Sequence, residues 1–155
     1  MESFYNGCAD AGPDRCAFWA PSPDDIRRNL TNLYDSLSVQ PVPAQTGNTY
    51  GYVDHKMLHS LVFSSLYFPF ATFRPLAQGL AELAAGDGTT IFKMATPSSF
   101  ECSSKEIEEY SGDAIMCNDG AVAPADMPSA IKHFEMMSNA SEFGNGWAKI
   151  RVGCA

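Results

Sequence analysis

Apolar residues in the middle of the chain recur at the spacing of an α-helix. Ser22 is followed by Pro23 and Asp25, which is the pattern of a helix N-cap with a capping box. The apolar face of the predicted helix is formed by four residues: Ile26, Leu30, Leu33 and Leu37. The pattern therefore predicts an amphipathic helix over residues 22–38 that ends before Pro41.

Two further helices are predicted over residues 53–67 and 73–85. The apolar face of the first of these comprises Val53, Met57, Leu58, Leu61 and Leu66. We expect Pro69 to end this helix, because a proline inside a helix removes a hydrogen bond. The next helix carries Phe73, Leu76, Leu80 and Leu83. It closes at Gly86, a typical helix C-cap residue. The fold class predicted from the three helices is mainly α.

The flanks of this helical middle give weaker patterns. Residues 1–21 show no period, and Ala11-Gly12-Pro13-Asp14 predicts a turn between Cys8 and Cys16. Residues 89–104 are polar and aperiodic, which predicts an exposed loop. A short helix is predicted at residues 105–110.

The last third of the chain combines a strand pattern with a helix pattern. Ala114-Ile115-Met116-Cys117 runs into Asn118-Asp119-Gly120, as a buried strand runs into a turn. We therefore predict a short strand-like piece near residues 114–117. A last helix is predicted over residues 128–139, and its inward residues are Ile131, Phe134 and Met137. Residues 148–153 are predicted to be helical at first and extended at their end.

Composition and charge restrict the class of protein. The 155 residues fit one domain, and 45% hydrophobic with 18% charged residues is a globular composition. Lys and Arg total 10 against 18 Asp and Glu, a net charge of −8. Such a field repels phosphate, so we expect neither nucleic acid nor an anionic membrane as a partner. No apolar run is long enough to cross a bilayer.

Four of the five cysteines form two groups, which indicates two disulfides and an oxidising compartment. The first group is Cys8 with Cys16. Two interpretations of it remain open, a disulfide loop and an exposed pair of free thiols. The second group is Cys117 with Cys154. Cys102 is then left over, as a free thiol or one that pairs outside the chain.

Two glycosylation sequons agree with an exported chain. They are Asn29-Leu30-Thr31 and Asn139-Ala140-Ser141, with Asn29 and Asn139 as the acceptors. The first residues lack the basic start and apolar stretch of a signal peptide. We therefore expect a secreted protein whose export signal lies outside this segment, in a longer precursor.

Gly47-Asn48-Thr49-Tyr50-Gly51 has the spacing of a hydrolase nucleophile elbow, with threonine in the place of serine. That chemistry needs a strand that leads into the turn. Pro41 and Pro43 argue against a central strand, because proline donates no ladder hydrogen bond. We therefore interpret the motif as a loop that leads into the second helix.

The remaining polar clusters do not form a catalytic or metal site. His55 and His59 share a helix face, but Lys56 stands where a zinc peptidase needs glutamate, and two ligands are too few. His133 and Glu135 are too close in sequence to face each other on a helix. Asp119 is interpreted as a structural anchor. The acidic cluster is interpreted as a solvated face: Glu106, Glu108 and Glu109. We expect no metal and no cofactor.

The order of several motifs resembles the tripeptidyl-aminopeptidase-like branch of the α/β-hydrolases, which are secreted serine peptidases related to proline iminopeptidases. The resemblance covers nearly the whole chain. The motifs that carry it are residues 4–18, the helix from Ser22, Pro41-Val42-Pro43, Thr49-Tyr50-Gly51-Tyr52-Val53, Leu66-Tyr67-Phe68-Pro69, Ala114-Ile115-Met116-Cys117-Asn118-Asp119, Phe143-Gly144 and Cys154-Ala155. In that family this stretch lies between the nucleophile serine and the catalytic aspartate and histidine.

The resemblance implies a helical cap, or lid, of an α/β-hydrolase. Residues 1–21 would be a disulfide-bearing loop that leads into the cap, residues 22–104 the cap, and residues 105–155 the return toward the hydrolase core. Cys8 would pair with Cys16, and Cys117 with Cys154. Four aromatic residues are candidates for lining the substrate cleft: Tyr50, Tyr67, Phe68 and Phe70.

The implied function is substrate gating in a secreted serine exopeptidase that acts on peptide N-termini. No triad residue carries over to any position here, so we expect the chain alone to be inactive. Its partners would be the flanking halves of the hydrolase core, with a peptide as the substrate of the full enzyme. An alternative is a freestanding helical binding or interaction module derived from such a cap.

Overall fold

The computed structural model describes residues 1–96, 114–120, 122 and 124–154. The chain divides into two units, Met1–Ser99 and Phe100–Ala155. In both units the described residues are mainly helical, which confirms the mainly α class. One two-stranded antiparallel sheet lies in the first unit.

The first unit contains five helices and the hairpin within its described residues. In chain order they are α1 Glu2–Ala11, α2 Pro23–Val39, β1 Val42–Thr46, β2 Thr49–Val53, α3 His55–Ser65, α4 Pro69–Ala84 and α5 Thr89–Ala95. Helix α2 packs against α1 and α3, while α5 packs against α3, α4 and both strands. Helix α5 therefore joins the helical layer to the hairpin.

Helix α2 begins as the sequence predicts. The Ser22 hydroxyl oxygen accepts a hydrogen bond from the Asp25 amide at 3.2 Å, and Pro23 is the first helical residue. At the exposed start of the same helix, the Arg27 guanidinium donates to the Glu2 carboxylate at 2.7 Å and lies over the Tyr5 ring. Local capping thus sets the start of α2, and this ion pair links it to α1.

Residues 42–53 form a β-hairpin, so the prediction of a loop that leads directly into a helix is wrong. The strands pair from Val42 opposite Val53 to Thr46 opposite Thr49. Gly47, with φ of 56°, is the first of two loop residues, as a type II′ turn requires. The prolines near β1 are tolerated because a sheet of two strands has only edge strands.

Helix α3 starts later than predicted because Val53 belongs to the hairpin. The Asp54 carboxylate caps α3 by accepting from the Met57 amide at 2.7 Å. The helix ends at Ser65, before Pro69, and Pro69 is the first residue of α4. The predicted role of Pro69 as a terminator is therefore wrong. Proline suits this first position because its missing N–H has no helical partner there.

Residues 1–21 and 89–95 contain helices that the sequence analysis assigned to loops. In α1, Phe4, Tyr5 and Cys8 are buried, and Cys8 is bonded to Cys16 across the predicted turn. In α5, Ile91 and Phe92 are buried. Both helices are too short to show a clear period, and burial against their neighbours stabilises them more than propensity does.

The core of the first unit is continuous from α1 to α5. Its fully buried aliphatic side chains are Ile26, Leu30, Leu37, Val53, Leu58, Val62, Leu76, Leu80 and Ile91. Phe4 meets Phe73 edge to face at 5.2 Å between ring centroids. Helices α4 and α5 approach closely at Gly79, where an added Cβ would lie 2.8 Å from Ile91 Cδ1.

In the second unit residues 114–119 are helical (α6), so the predicted strand-like piece near residues 114–117 is wrong. Short apolar runs do not distinguish strand from helix. The disulfide from Cys117 to Cys154 holds this segment. The Arg151 guanidinium donates to the Met116 and Cys117 carbonyls at 2.8 and 3.3 Å. A cation at these late carbonyls favours the helical form.

Helices α7, Met127–Ala140, and α8, Gly144–Val152, complete the second unit. The helix predicted over 128–139 is confirmed, but its predicted inward face is not buried. Ile131 is 51% exposed and Phe134 is 42% exposed. Helix α8 continues to Val152, so the predicted extended end is wrong. The predicted helix at 105–110, Cys102 and the acidic cluster lie outside the described residues, as does the predicted loop after Thr96.

Candidate functional site

A groove of about 550 Å³ lies beside β2 in the first unit. Strand β2 and its end, α3 and α5 supply its lining: Gly51, Tyr52, Asp54, Lys56, Met57, Ser60, Leu61, Ser64, Phe92, Met94 and Ala95. None of these residues belongs to β1, so β2 is the strand that borders the groove. The hairpin and the two helices thus form three sides of one groove.

The base of the groove is a contact between a glycine and an aromatic ring. A Cβ at Gly51 would lie 2.5 Å from Phe92 Cε2, so only glycine leaves room for the ring against the strand. Phe92 itself is 5% exposed. Because the ring covers the inner face of Gly51, an apolar floor lies next to the backbone of β2.

The polar groups of the groove are mostly committed to the fold. The Asp54 carboxylate caps α3, and the Ser64 hydroxyl donates to the Ser60 carbonyl at 3.0 Å. Lys56 is exposed and forms no ion pair within the described part of the chain. The groove therefore combines an apolar floor with one available cation, and no acid–base pair is assembled in it.

The four aromatic residues predicted to line a substrate cleft lie on the surface. Tyr50 is 74% exposed, Tyr67 59%, Phe68 69% and Phe70 fully exposed. Core packing is therefore not their role. In the groove itself the aromatic residue of β2 is Tyr52, whereas Tyr67 and Phe68 follow the α3 end of the groove in sequence. Their contact with a substrate stays a prediction.

The predicted histidine pair is an aromatic cluster. His55 and His59 stack at 5.7 Å between ring centroids, and the Tyr34 ring lies 5.3 and 5.7 Å from them. Within residues 1–96, 114–120, 122 and 124–154, no group of three or more potential ligands could hold a metal ion. The pair therefore packs α2 against α3.

Other single candidates do not converge on a site. Asp119 ends the helical stretch of α6 and is exposed, so the turn expected around it is not observed. His133 lies on α7 with a shielded Nε2 that has no hydrogen-bond partner in the described residues. Asn29 and Asn139 are both exposed on helices, and their glycosylation stays a prediction.

A second groove, of about 650 Å³, lies between α7 and α8 of the second unit. Its apolar lining includes Met127, Ile131, Phe134 and Val152, with Glu135 and Lys149 beside them. It holds no arrangement of nucleophile and base. Its chemistry is that of a contact surface.

Three broader findings bear on function. Among the described helices, none is long and apolar enough to cross a membrane. The two disulfides are compatible with an oxidising compartment such as the cell exterior. Compared with models of known protein families, with curated proteins and with solved structures, the chain gives no match.

Proposed function

We propose that this chain is the cap segment of a secreted serine exopeptidase that acts on peptide N-termini. Its role is to shape the opening through which the peptide reaches the catalytic groups. The nucleophile, aspartate and histidine belong to polypeptide outside the 155 residues. The proposal rests on the motif order given above and on one structural observation.

That observation is a set of exposed aromatic side chains in the first unit, one of which, Tyr52, lines the groove. Phe68 lies in the α3–α4 connection, Phe70 in the first turn of α4, and Tyr50 and Tyr52 in the hairpin. Exposed aromatic side chains that together form a patch mark a contact surface. A cap needs such a surface where it faces a substrate cleft, because it must exclude water from the acyl-transfer site.

The test is active-site labelling of the native polypeptide that contains residues 1–155. A biotinylated fluorophosphonate should label a serine that peptide mapping places outside these residues. The isolated chain should not hydrolyse tripeptidyl or aminoacyl p-nitroanilides. Labelling of a serine within the chain, or phosphonate-resistant hydrolysis by the chain alone, would overturn the proposal.

The second candidate is a freestanding binding module without enzymatic activity. The unit Met1–Ser99 favours it, because that unit has its own continuous core and an exposed aromatic surface. A native polypeptide that binds peptide and contains no phosphonate-reactive serine would identify this candidate. Such a result would replace the cap proposal.

A further inference from the structure

The two strands of the hairpin have different outer edges. Thr46 and Thr49 flank the two-residue turn and therefore form a hydrogen-bonded pair. Such pairs alternate with pairs that have no mutual hydrogen bonds. Gln45 opposite Tyr50, and Pro43 opposite Tyr52, are accordingly the pairs whose N–H and C=O groups point away from the partner strand.

The outer edge of β1 is blocked by a proline. Pro43 occupies one of the two outward positions and has no N–H to offer. Proline on an edge strand is a common device against pairing with another chain. A third strand could bond only incompletely to β1.

The outer edge of β2 carries no such block. Tyr50 and Tyr52 direct both N–H and C=O outward, and neither N–H has a partner in the part of the chain that the structure describes. The groove borders the same strand, since its lining includes Tyr52 and Gly51 and no β1 residue. As far as the described residues go, an open strand edge thus adjoins an apolar groove.

We infer that this edge binds an extended peptide as a third strand. The peptide backbone bonds to Tyr50 and Tyr52, and one apolar side chain enters the groove toward Phe92 and Met57. Strand addition of this kind obtains affinity from main-chain bonds and selectivity from pockets for alternate side chains. This inference rests on the proposed function, which assigns peptide as the substrate class. It adds the way in which the peptide is held.

The first test uses a fluorescein-labelled heptapeptide, Gly-Ala-Val-Phe-Val-Ala-Gly, in fluorescence anisotropy with the oxidised chain. Two N-methylated forms of it are compared, one methylated on both valines and one on the alanines and phenylalanine. The two sets of amides face opposite edges of an extended peptide. One form should bind about tenfold more weakly, since two backbone bonds are lost. The other should bind like the parent.

Proline scanning of the hairpin supplies the matched control. Tyr52→Pro removes an outward N–H of β2 at a position where the ladder has no bond to lose. Gln45→Pro makes the same change on the outer edge of β1. Peptide affinity should be about tenfold lower in Tyr52→Pro than in Tyr52→Ala, which lacks the same ring but keeps the N–H, and it should stay unchanged in Gln45→Pro. Far-ultraviolet circular dichroism checks that the variants fold, and the N-methylated peptides test the wild-type chain independently of these substitutions.

Three results would overturn the inference. These are no binding of the heptapeptide, equal binding of both methylated forms, and dimerisation of the chain through β2 that excludes peptide. Sedimentation velocity of wild type and Tyr52→Pro detects the last case. Fluorophosphonate labelling is unaffected by any of these results, so a failure here is distinguishable from a failure of the proposed function.

Discussion

The two units both contain amphipathic helices and a disulfide, but they bury those helices to different extents. In the first unit Leu76 and Leu80 of α4 are fully buried, and the disulfided Cys8 lies within the core. In the second unit no residue of α7 is buried, and the residues buried in α8 are Gly144 and Ala148. The first unit is stabilised by apolar burial, whereas in the described residues of the second the covalent bond and helix contacts carry more of the stability.

Removal of the second disulfide is therefore expected to have the largest effect. Cys117→Ala with Cys154→Ala opens a separation of 37 residues, worth about 4 kcal/mol in chain entropy. Among the described residues of this unit, few buried side chains remain to compensate. Amide protons of α7 and α8 should lose protection in hydrogen exchange followed by mass spectrometry, while those of α2 and α4 keep theirs.

The matched control is Cys8→Ala with Cys16→Ala. Its separation of 8 residues gives about 2.5 kcal/mol, and the surrounding core stays in place. The first unit should still unfold cooperatively at a lower denaturant concentration. Retained protection of α7 and α8 in the first double variant would contradict the comparison.

Truncation of a core leucine should have the next largest effect. Leu80→Ala removes a fully buried side chain and should cost about 2–5 kcal/mol. Ile131→Ala removes a side chain that is half exposed, and we expect a cost of less than about 1 kcal/mol. Urea unfolding monitored by Trp19 for the first unit and by Trp147 for the second measures both. Equal costs would show that the apolar face of α7 is covered.

Glycine-to-alanine changes should have opposite signs in the two units. At Gly79 an added Cβ would lie 2.8 Å from Ile91 Cδ1, so Gly79→Ala should destabilise by about 1 kcal/mol despite better helix propensity. At Gly146 of α8 no atom lies within 4 Å of the added Cβ. Gly146→Ala should stabilise by about 0.5–1 kcal/mol. Melting temperatures of the two variants decide the sign of each effect.

The smallest expected effect is a response of α7 to acid. The Ser129 amide donates to the Asp126 carboxylate and, with the Ser129 side chain, holds the pKa of Asp126 below its ordinary 3.8. A lowered folded-state pKa means that the stabilisation is present above about pH 3.8 and is lost as pH falls through the folded-state pKa. The exchange protection of the first turn of α7 should therefore decrease when the pH is lowered below about 4.

Asp126→Asn is the control for this response, because asparagine caps helices without titrating. Its α7 should keep the same exchange protection, corrected for intrinsic rates, on both sides of pH 4. Acid sensitivity of the same size in Asp126→Asn would assign the effect to another group.

The sequence predicts those elements whose signals are local. The Ser22 cap and the apolar positions of α2 lie close together in the chain, and the helix begins where they indicate. Helix α7 is likewise found within one residue at each end. The burial of α7 is not predicted correctly, because periodicity shows which face of a helix is apolar but not whether another element covers that face.

The sequence pattern does not predict the hairpin, and the reason is physical. A proline in a strand normally means a missing ladder hydrogen bond, but the position of Pro43 in the register requires no N–H toward β2. The turn Gly47-Asn48 and the alternation from Thr49 to Val53 are the signals that could have indicated two strands. The groove depends on the hairpin and on α5, a helix of seven residues, so neither Tyr52 nor Phe92 could be assigned to it from the sequence alone.

Pro75 interrupts the main-chain hydrogen bonding of α4. The proline stands inside the helix, so the main chain at that point has no amide hydrogen to bond to the preceding turn. Leu76 and Leu80 fix the part after it in the core, while Phe70 lies before it in solvent. Bending there would break no additional hydrogen bond at Pro75 itself. Helix α4 is therefore one main-chain hydrogen bond short where its exposed first turns meet its buried remainder, and the packing of Phe73 on Phe4 holds the turns before the proline.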